Sequence, residues 1–587
     1  MSRLWKTLAP CALTAALAIP FSASPAHAAT VETVIVREAP GSTGLIAGAI
    51  AALGGTITST LAGVDTVVVQ LPTGLAGTLA GVTGVLEVTT NVGLHLLGDV
   101  GNVLSGTYSS RFGADAALNG KSTLEDPGSL YGTARLVNAD QVWNSGNTGQ
   151  GIDVAVIDSG VSPVPGLDGA NKIVYGPDLS FDSQASNLQY VDGFGHGTHM
   201  AGIIAAHDAG VTNVSGASPD AAVGIAPDAR IVSVKVASAD GSTDVSQVIA
   251  GINWVVEHQH DNGLNIRVLN LSFGTDGTQN YLLDPLTYAA EVAWRHGIVV
   301  VIAAGNDGVL APLTNPAYDP FVIAVGASDH HATVARGDDT IADFSSRGTT
   351  TRRPDLAAPG RSIAGLRDPG SLIDTAYPSA VVGTRYFRGS GTSQATAVTS
   401  GAVALMLQAR PWLTPDDVKQ VLVRTAAPLA STGVALDRGV GRLDVAAANR
   451  ALPLLSHQWS KAATGLGSID AARGTSIQLF DDGVALTGEQ DVQGQPWNAS
   501  RWAADAMAGR TWSGGWWNGT EWAANAWATG TWGSGWTGRS WTGRSWTGHS
   551  WSGRSWTGRT WSDAAWTGHS WTGHSWTGRS WSGASYG

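Results

Sequence analysis

Residues 126–452 predict an α/β fold, a mostly parallel sheet with helices on both faces. Two observations carry this. Short apolar runs rich in Val and Ile recur along the segment, and the stretches between them repeat their apolar residues at helical spacing. Parallel strands need crossover connections, so this alternation means covered parallel strands rather than hairpins. A third observation bounds the rest. The chain has 587 residues, too many for one ordinary domain, and both of its ends depart from the pattern.

Within the central segment the expected strands are 152–157, 231–236, 266–271, 298–303 and 321–325. Val245, Val248, Ile249, Ile252, Val255 and Val256 recur as one helical face. Asp284-Pro285 combines an N-cap with a proline at the first helical position, and Gly297 ends that helix. Thr414-Pro415 opens another.

Residues 29–98 form a separate small unit. Strand-like runs at 31–36, 56–60, 66–71 and 85–90 and helix-like runs at 44–53 and 74–79 give the order βαββαβ, which suits a ferredoxin-like α+β fold. Residues 99–125 are rich in Gly, Ser and Asp without period and are expected as a linker. Beyond 452 the chain turns irregular. Residues 453–496 are expected as a linker region, and 497–587 carry a repeat with Trp at every fifth position, approximately Trp-Thr/Ser-Gly-Arg/His-Ser. Five residues match neither the helical period nor one face of a strand. A solenoid with five residues per side and a flexible chain are the two options.

Residues 1–28 have the features of a secretory signal. Arg3 and Lys6 precede an apolar run, and Ala26-His27-Ala28 is a small-x-small cleavage site. No other segment has the length and apolarity of a membrane span. Cys11, the single cysteine, lies inside this signal, so a mature chain has no disulfide, thiol nucleophile or thiolate metal site. A formal charge of −12 argues against nucleic acid as a partner.

Three motifs concentrate chemistry. Val154-Ala155-Val156-Ile157-Asp158-Ser159-Gly160 puts a carboxylate at the C-terminal end of a buried strand, where open α/β sheets hold their sites. Gly195-His196-Gly197-Thr198-His199 opens into a small-residue helix, and Gly389-Ser390-Gly391-Thr392-Ser393-Gln394 opens into another. Acyl transfer needs these side chains. A serine becomes nucleophilic when an imidazole takes its proton, and the imidazole needs a carboxylate to hold its tautomer. The oxyanion needs fixed donors. Ala303-Ala304-Gly305-Asn306-Asp307 offers an amide beside a strand end, and the Ser393 N–H is the second donor. Taken singly, each motif has a plainer reading as a turn or a helix cap. His196 and His199 alone could be a metal pair, but no third ligand stands near them in sequence.

All four motifs together, in the order Asp, His, Asn, Ser, resemble the subtilisin-like serine protease family. The resemblance covers roughly 126–452. It implies Asp158 as the orienting acid, His196 as general base and acid, Ser393 as nucleophile and Asn306 as oxyanion donor. It implies that Ser272, Phe273 and Gly274 form an edge for extended substrate, with Ala303, Ala304 and Gly305 opposite. The segments 354–360 and 439–444 resemble further family landmarks. The motif after Ser393 departs from the family: Gln394-Ala395-Thr396-Ala397 stands where Met-Ala-Thr-Pro is usual. The segment before Val223 does not resemble the family's calcium loop. No cofactor is required for the chemistry, structural calcium stays open without support, the metal sites are unknown, and Asp178, Asp182 and Asp220 read as solvated loop charge. The 29–98 unit resembles an inhibitor-like propeptide.

The expectation is a secreted endopeptidase made as an autoprocessed zymogen, with protein or peptide substrates and its own propeptide as partners. Two other readings use the same residues: a silent protease-like scaffold, and an attachment protein that carries a protease. From Gly535 onward five arginines stand against the single Asp563, so the tail is cationic on an acidic chain and suits an anionic cell-wall polymer.

Overall fold

The computed structural model describes residues 31–38, 43–61, 66–72, most of 75–90, 94–96, and 126–521 with short gaps, together with four short strands between 542 and 582. The signal segment and the expected linker at 99–125 lie outside the described residues.

The N-terminal unit comprises β1 (Val31–Glu38), α1 (Thr43–Ala52), β2 (Thr56–Leu61), β3 (Thr66–Pro72) and β4 (Val85–Thr90). Its sheet runs β2-β3-β1-β4, antiparallel along β1. Val36, Ile46, Ile50, Val69, Leu71 and Leu79 close a small core of their own. A further strand, β5 (Leu94–Leu96), lies outside this sheet and forms a two-stranded sheet with residues 273–275 of the central domain.

The central sheet is built from β6 (Asp153–Asp158), β7 (Ile173–Asp178), β8 (Arg230–Lys235), β9 (Ile266–Leu271), β11 (Val299–Ala303), β12 (Ile323–Asp329), β13 (Thr340–Ile341) and β14 (Leu356–Pro359). Its order is β13-β12-β11-β9-β6-β8-β7, with β14 also on β12. Every pairing is parallel except that of β13. β6 is buried at all six positions, which is why Val154–Ile157, between its two terminal aspartates, reads as an apolar run rather than an alternation. The short strand β10 (Phe273–Thr275) follows β9.

Two helix pairs cover the sheet. α2 (His196–Ala205) packs with α5 (Thr392–Ala409), and α3 (Val245–Glu257) packs with α4 (Pro285–Arg295). Both pairs rest on β6 and β11, one pair on each face. The expected caps are in place. Asp284 accepts the N–H groups of Leu286 and Thr287, with Pro285 first in α4. Thr414 and Asp417 form a capping box for α6 (Pro415–Thr425). The segments 354–360 and 439–444 meet: Leu443 donates to the Ala357 carbonyl at 2.8 Å, and Ala357 donates to that of Gly441 at 2.8 Å.

The region after residue 452 is not a linker. α7 (Ile469–Arg473) and α8 (Ala499–Met507) pack on α3 and α4. Arg473 is buried against Asp244, the N-cap of α3, at 2.6 Å. Trp502 and Trp517, both fully buried, donate their indole N–H groups to the same Asn253 side-chain oxygen at 3.0 and 3.1 Å. Trp497 lies tilted against both, with ring centroids 5.0 and 5.9 Å away. Glu257 accepts the backbone N–H groups of Thr511 and Trp512. The first Trp repeats are thus core residues of the central domain, and 497 is not a structural boundary. α7 also lies beside β1 of the N-terminal unit.

Further on, Thr542–Trp546, Trp556–Ser562, Trp576–Gly578 and Trp581–Ser582 pair in parallel. Thr542 lies opposite Thr557, Trp556 opposite Trp576, and Trp561 opposite Trp581. Each partner stands three or four pentapeptides on, the register of a solenoid, which was one of the two options.

Candidate active site

Asp158 ends β6. Both of its carboxylate oxygens lie 2.9 Å from His196 Nδ1. A carboxylate can only accept, so Nδ1 carries the proton and Nε2 is left as the basic nitrogen. His196 Nε2 is buried without a hydrogen-bond partner among the described residues. Burial opposes charging of the ring, but the charge and hydrogen bond of Asp158, with Asp192 behind it, hold its pKa above the ordinary imidazole value.

His196 is the first residue of α2, and two glycines make that placement feasible. Gly195 sits at φ +102°, a region that L side chains rarely adopt. A Cβ on Gly197 would overlap the Gly160 carbonyl and come within 3.1 Å of Asp158 Cβ. The motif glycines therefore let the helix start against the strand end that carries the acid.

Ser393 stands in the first turn of α5, fully buried, beside backbone N–H groups that favour negative charge. α5 and α2 pack together at their starts. A Cβ on Gly389 would meet Gln394 Nε2 at 2.7 Å and His199 Cε1 at 3.5 Å, so the residue after Ser393 neighbours the residue one turn on from His196. Gln394 and Ala397 sit within a continuous helix, so the departure from the family motif does not break it.

Asn306 follows β11. Its side-chain oxygen accepts the Thr392 N–H at 2.8 Å and the Thr392 hydroxyl at 3.0 Å. With the oxygen committed to the residue before Ser393, the amide's NH₂ is the end left for an oxyanion. Sequence motifs had not pointed to Thr392 as this anchor.

The expected substrate edge is occupied. Phe273 lies opposite Leu96, Gly274 opposite His95 and Thr275 opposite Leu94, in antiparallel pairing with β5. Ser272 is buried and accepts from Asn270 at 3.1 Å. Ala303 and Ala304 are buried too, and Ala304 donates to Val325 at 3.0 Å and accepts from Thr314 at 3.2 Å. Gly305 donates to the Thr392 hydroxyl at 3.3 Å.

Two expectations need correction. Asp178 and Asp182 are buried, not solvated. Asp182 pairs with the buried Lys235 at 2.8 Å, and Asp178 accepts from Ser180 and from the Tyr190 N–H. Only Asp220 is exposed. A calcium ion does not fit the Asp178–Asp182 loop, because an ammonium already meets its charge. Among the described residues no three His, Cys, Asp or Glu side chains are grouped to hold a metal. His199 is no ligand either. Its Nε2 faces the Phe387 carbonyl at 2.9 Å, and burial lowers its pKa to about 4.

The chain is similar to known proteins over its central segment. Residues 149–441 match the model of the Subtilase family. Serine protease AprX of Bacillus subtilis is 40% identical over 295 residues, which is 49% of this chain and 64% of that protein. Subtilisin Savinase of Lederbergia lenta is 33% identical over 323 residues, 54% of this chain and 98% of that protein. The structure of fervidolysin from Fervidobacterium pennivorans, a keratinolytic enzyme related to subtilisin, is 24% identical with a TM-score of 0.45, covering 73% of this chain and 62% of that one. The match to AprX spans less than two thirds of that protein.

Proposed function

The chain belongs to the subtilase family, and from that premise we propose that it is a secreted serine endopeptidase, made as a zymogen that cuts itself. The observation that carries this is the Asp158–His196 pair with its orphaned Nε2, set at the start of the helix that packs on the Ser393 helix. In the proposed reaction His196 Nε2 takes the Ser393 proton as Oγ attacks the peptide carbonyl. Asp158 stays ionised and stabilises the imidazolium. The oxyanion accepts from Asn306 Nδ2 and the Ser393 N–H. His196 then protonates the leaving amine, and water repeats the sequence on the acyl-enzyme. No cofactor takes part.

The zymogen reading rests on β5. An extended segment of the N-terminal unit pairs with the strand expected to hold substrate, by the main-chain bonds a substrate would use. We place the cut just beyond Leu96. A fluorophosphonate probe and mass spectrometry of secreted protein test both readings. The wild type should label at Ser393 and lack residues 29–96, and Ser393→Ala should accumulate with them attached. An unlabelled wild type would refute the peptidase. Normal trimming of Ser393→Ala would assign the cut to another protease.

The tail beyond residue 521 is proposed as an attachment module for an anionic cell-wall polymer. Its Trp-rich repeats and excess arginine support this. Because residues 497–521 belong to the packed domain, the clean deletion is 522–587. Equal retention of both forms on isolated cell walls would end the idea.

A further inference from the structure

Asp192 is a buried carboxylate beside the triad to which the mechanism gives no part. Its Oδ1 accepts the Gly195 N–H at 2.7 Å and its Oδ2 the Thr198 N–H at 2.7 Å, so it clamps the first turn of α2 on either side of His196. Oδ1 also lies 2.7 Å from the Ser159 hydroxyl. That hydroxyl accepts the Gly197 N–H at 3.1 Å and lies 3.1 Å from Asp158 Oδ1. Two backbone N–H groups and the Ser159 hydroxyl surround Asp192, a set that suits its ionised form although burial pushes its pKa up.

A serine hydroxyl has one proton. Here it can point to Asp192 or to the catalytic acid, and Asp192 is the nearer by 0.4 Å. We propose that Asp192 is a positioning residue that draws the Ser159 proton away from Asp158. Asp158 Oδ1 then keeps its electron density for two donors, the Ser159 N–H at 2.8 Å and His196 Nδ1 at 2.9 Å. Without Asp192 the hydroxyl turns to Asp158, shares its charge and weakens it as partner of the imidazolium. The same loss loosens the start of α2.

Other charges face this carboxylate. Asp158 and His196 lie on its triad side. Asp368 is reached through Ser162, whose hydroxyl accepts the Asp192 N–H at 3.1 Å and donates to Asp368 at 2.7 Å. Lys235 is bound to the neighbouring Val191 carbonyl at 2.6 Å and to Asp182. Asn cannot replace Asp192 without strain, because its NH₂ must face one of two backbone N–H groups.

The inference rests on the peptidase reading, and labelling of Ser393 in the wild type separates failure of that reading from failure of this one. The test uses the full chain with a peptide substrate. Asp192→Asn should lower kcat about 10–100-fold, the range for outer-shell partners, with KM little changed and the acid limb of kcat/KM moved to lower pH. In a Ser159→Ala background the same change should move the acid limb less, because no hydroxyl is left to turn. An equal shift in both backgrounds overturns the relay, and so does an unmoved limb with a fall in Tm alone. If Asp192→Asn does not fold, Ser159→Ala decides: with no hydroxyl proton drawn from Asp158 to lose, it should keep the wild-type limb, and a limb moved to higher pH, as on removal of a donor to Asp158, overturns the relay.

Discussion

The starts of α2 and α5 and the outer faces of α3 and α4 are both buried, but by opposite means. At the site, polar groups satisfy one another over short distances, and glycines let main chain approach main chain. On the outer face, large side chains from the end of the chain cover helices whose own residues supply single polar anchors: Asn253 for two indoles, Asp244 for Arg473, Glu257 for Thr511 and Trp512. The first surface is specified by reaction chemistry and the second by volume. Changes at the two should therefore separate activity from stability.

The largest expected effect belongs to the first surface. Ser393→Ala, His196→Ala and Asp158→Ala should each remove about 10⁴–10⁶ of kcat, without adding to one another, while Tm stays near the wild-type value. Steady-state peptide hydrolysis and calorimetry check this, and full activity in any one breaks the assignment. Asn306→Ala should cost about 10²–10³ in kcat at unchanged KM; a pure KM effect would remove its oxyanion role. On the second surface Trp502→Ala should cost about 3–5 kcal/mol of stability, read by urea unfolding, with kcat/KM unchanged at low temperature. A matching loss of activity would mean the two surfaces are not separable.

A smaller effect joins them. His199 is buried neutral with its pKa lowered to about 4, through burial first and then the charge of His196. Its contribution to stability is complete above pH 6.5, where the unfolded imidazole is also neutral. It is lost as pH falls toward 4, because the unfolded chain then binds a proton that the folded chain refuses. The loss should approach about 3 kcal/mol and be absent in His199→Gln, compared by Tm against pH. The smallest effect is the last: removing residues 522–587 should leave Tm and kcat/KM unchanged.

The same contrast explains what the sequence made legible. The meeting of Asp158 with His196, and of Asn306 with the start of α5, was readable because each sits at a strand end or helix start that local residues announce. The parallel strands were readable because burial on both faces leaves an apolar run. Asp178 and Asp182 misled because a charge in a loop usually faces water, and their cation, Lys235, lies on a different strand. Residues 453–521 misled for a related reason. Trp497, Trp502, Trp512 and Trp517 open the five-residue series that the tail continues, and nothing local marks these four as packing on the central domain.

Asn253 is made long before the two indoles that share it, and Asp244 long before Arg473. A chain leaving the ribosome, or threading through a membrane from its N-terminus, carries a finished set of catalytic motifs well before it has the residues that close the opposite side. Until then one wall of the molecule is greasy, with carboxylates that have no counter-ion. A premature stop between the last family landmark and residue 517 would release a sticky protein rather than a smaller working protease. Residues 473–517 thus complete the domain that the earlier motifs begin.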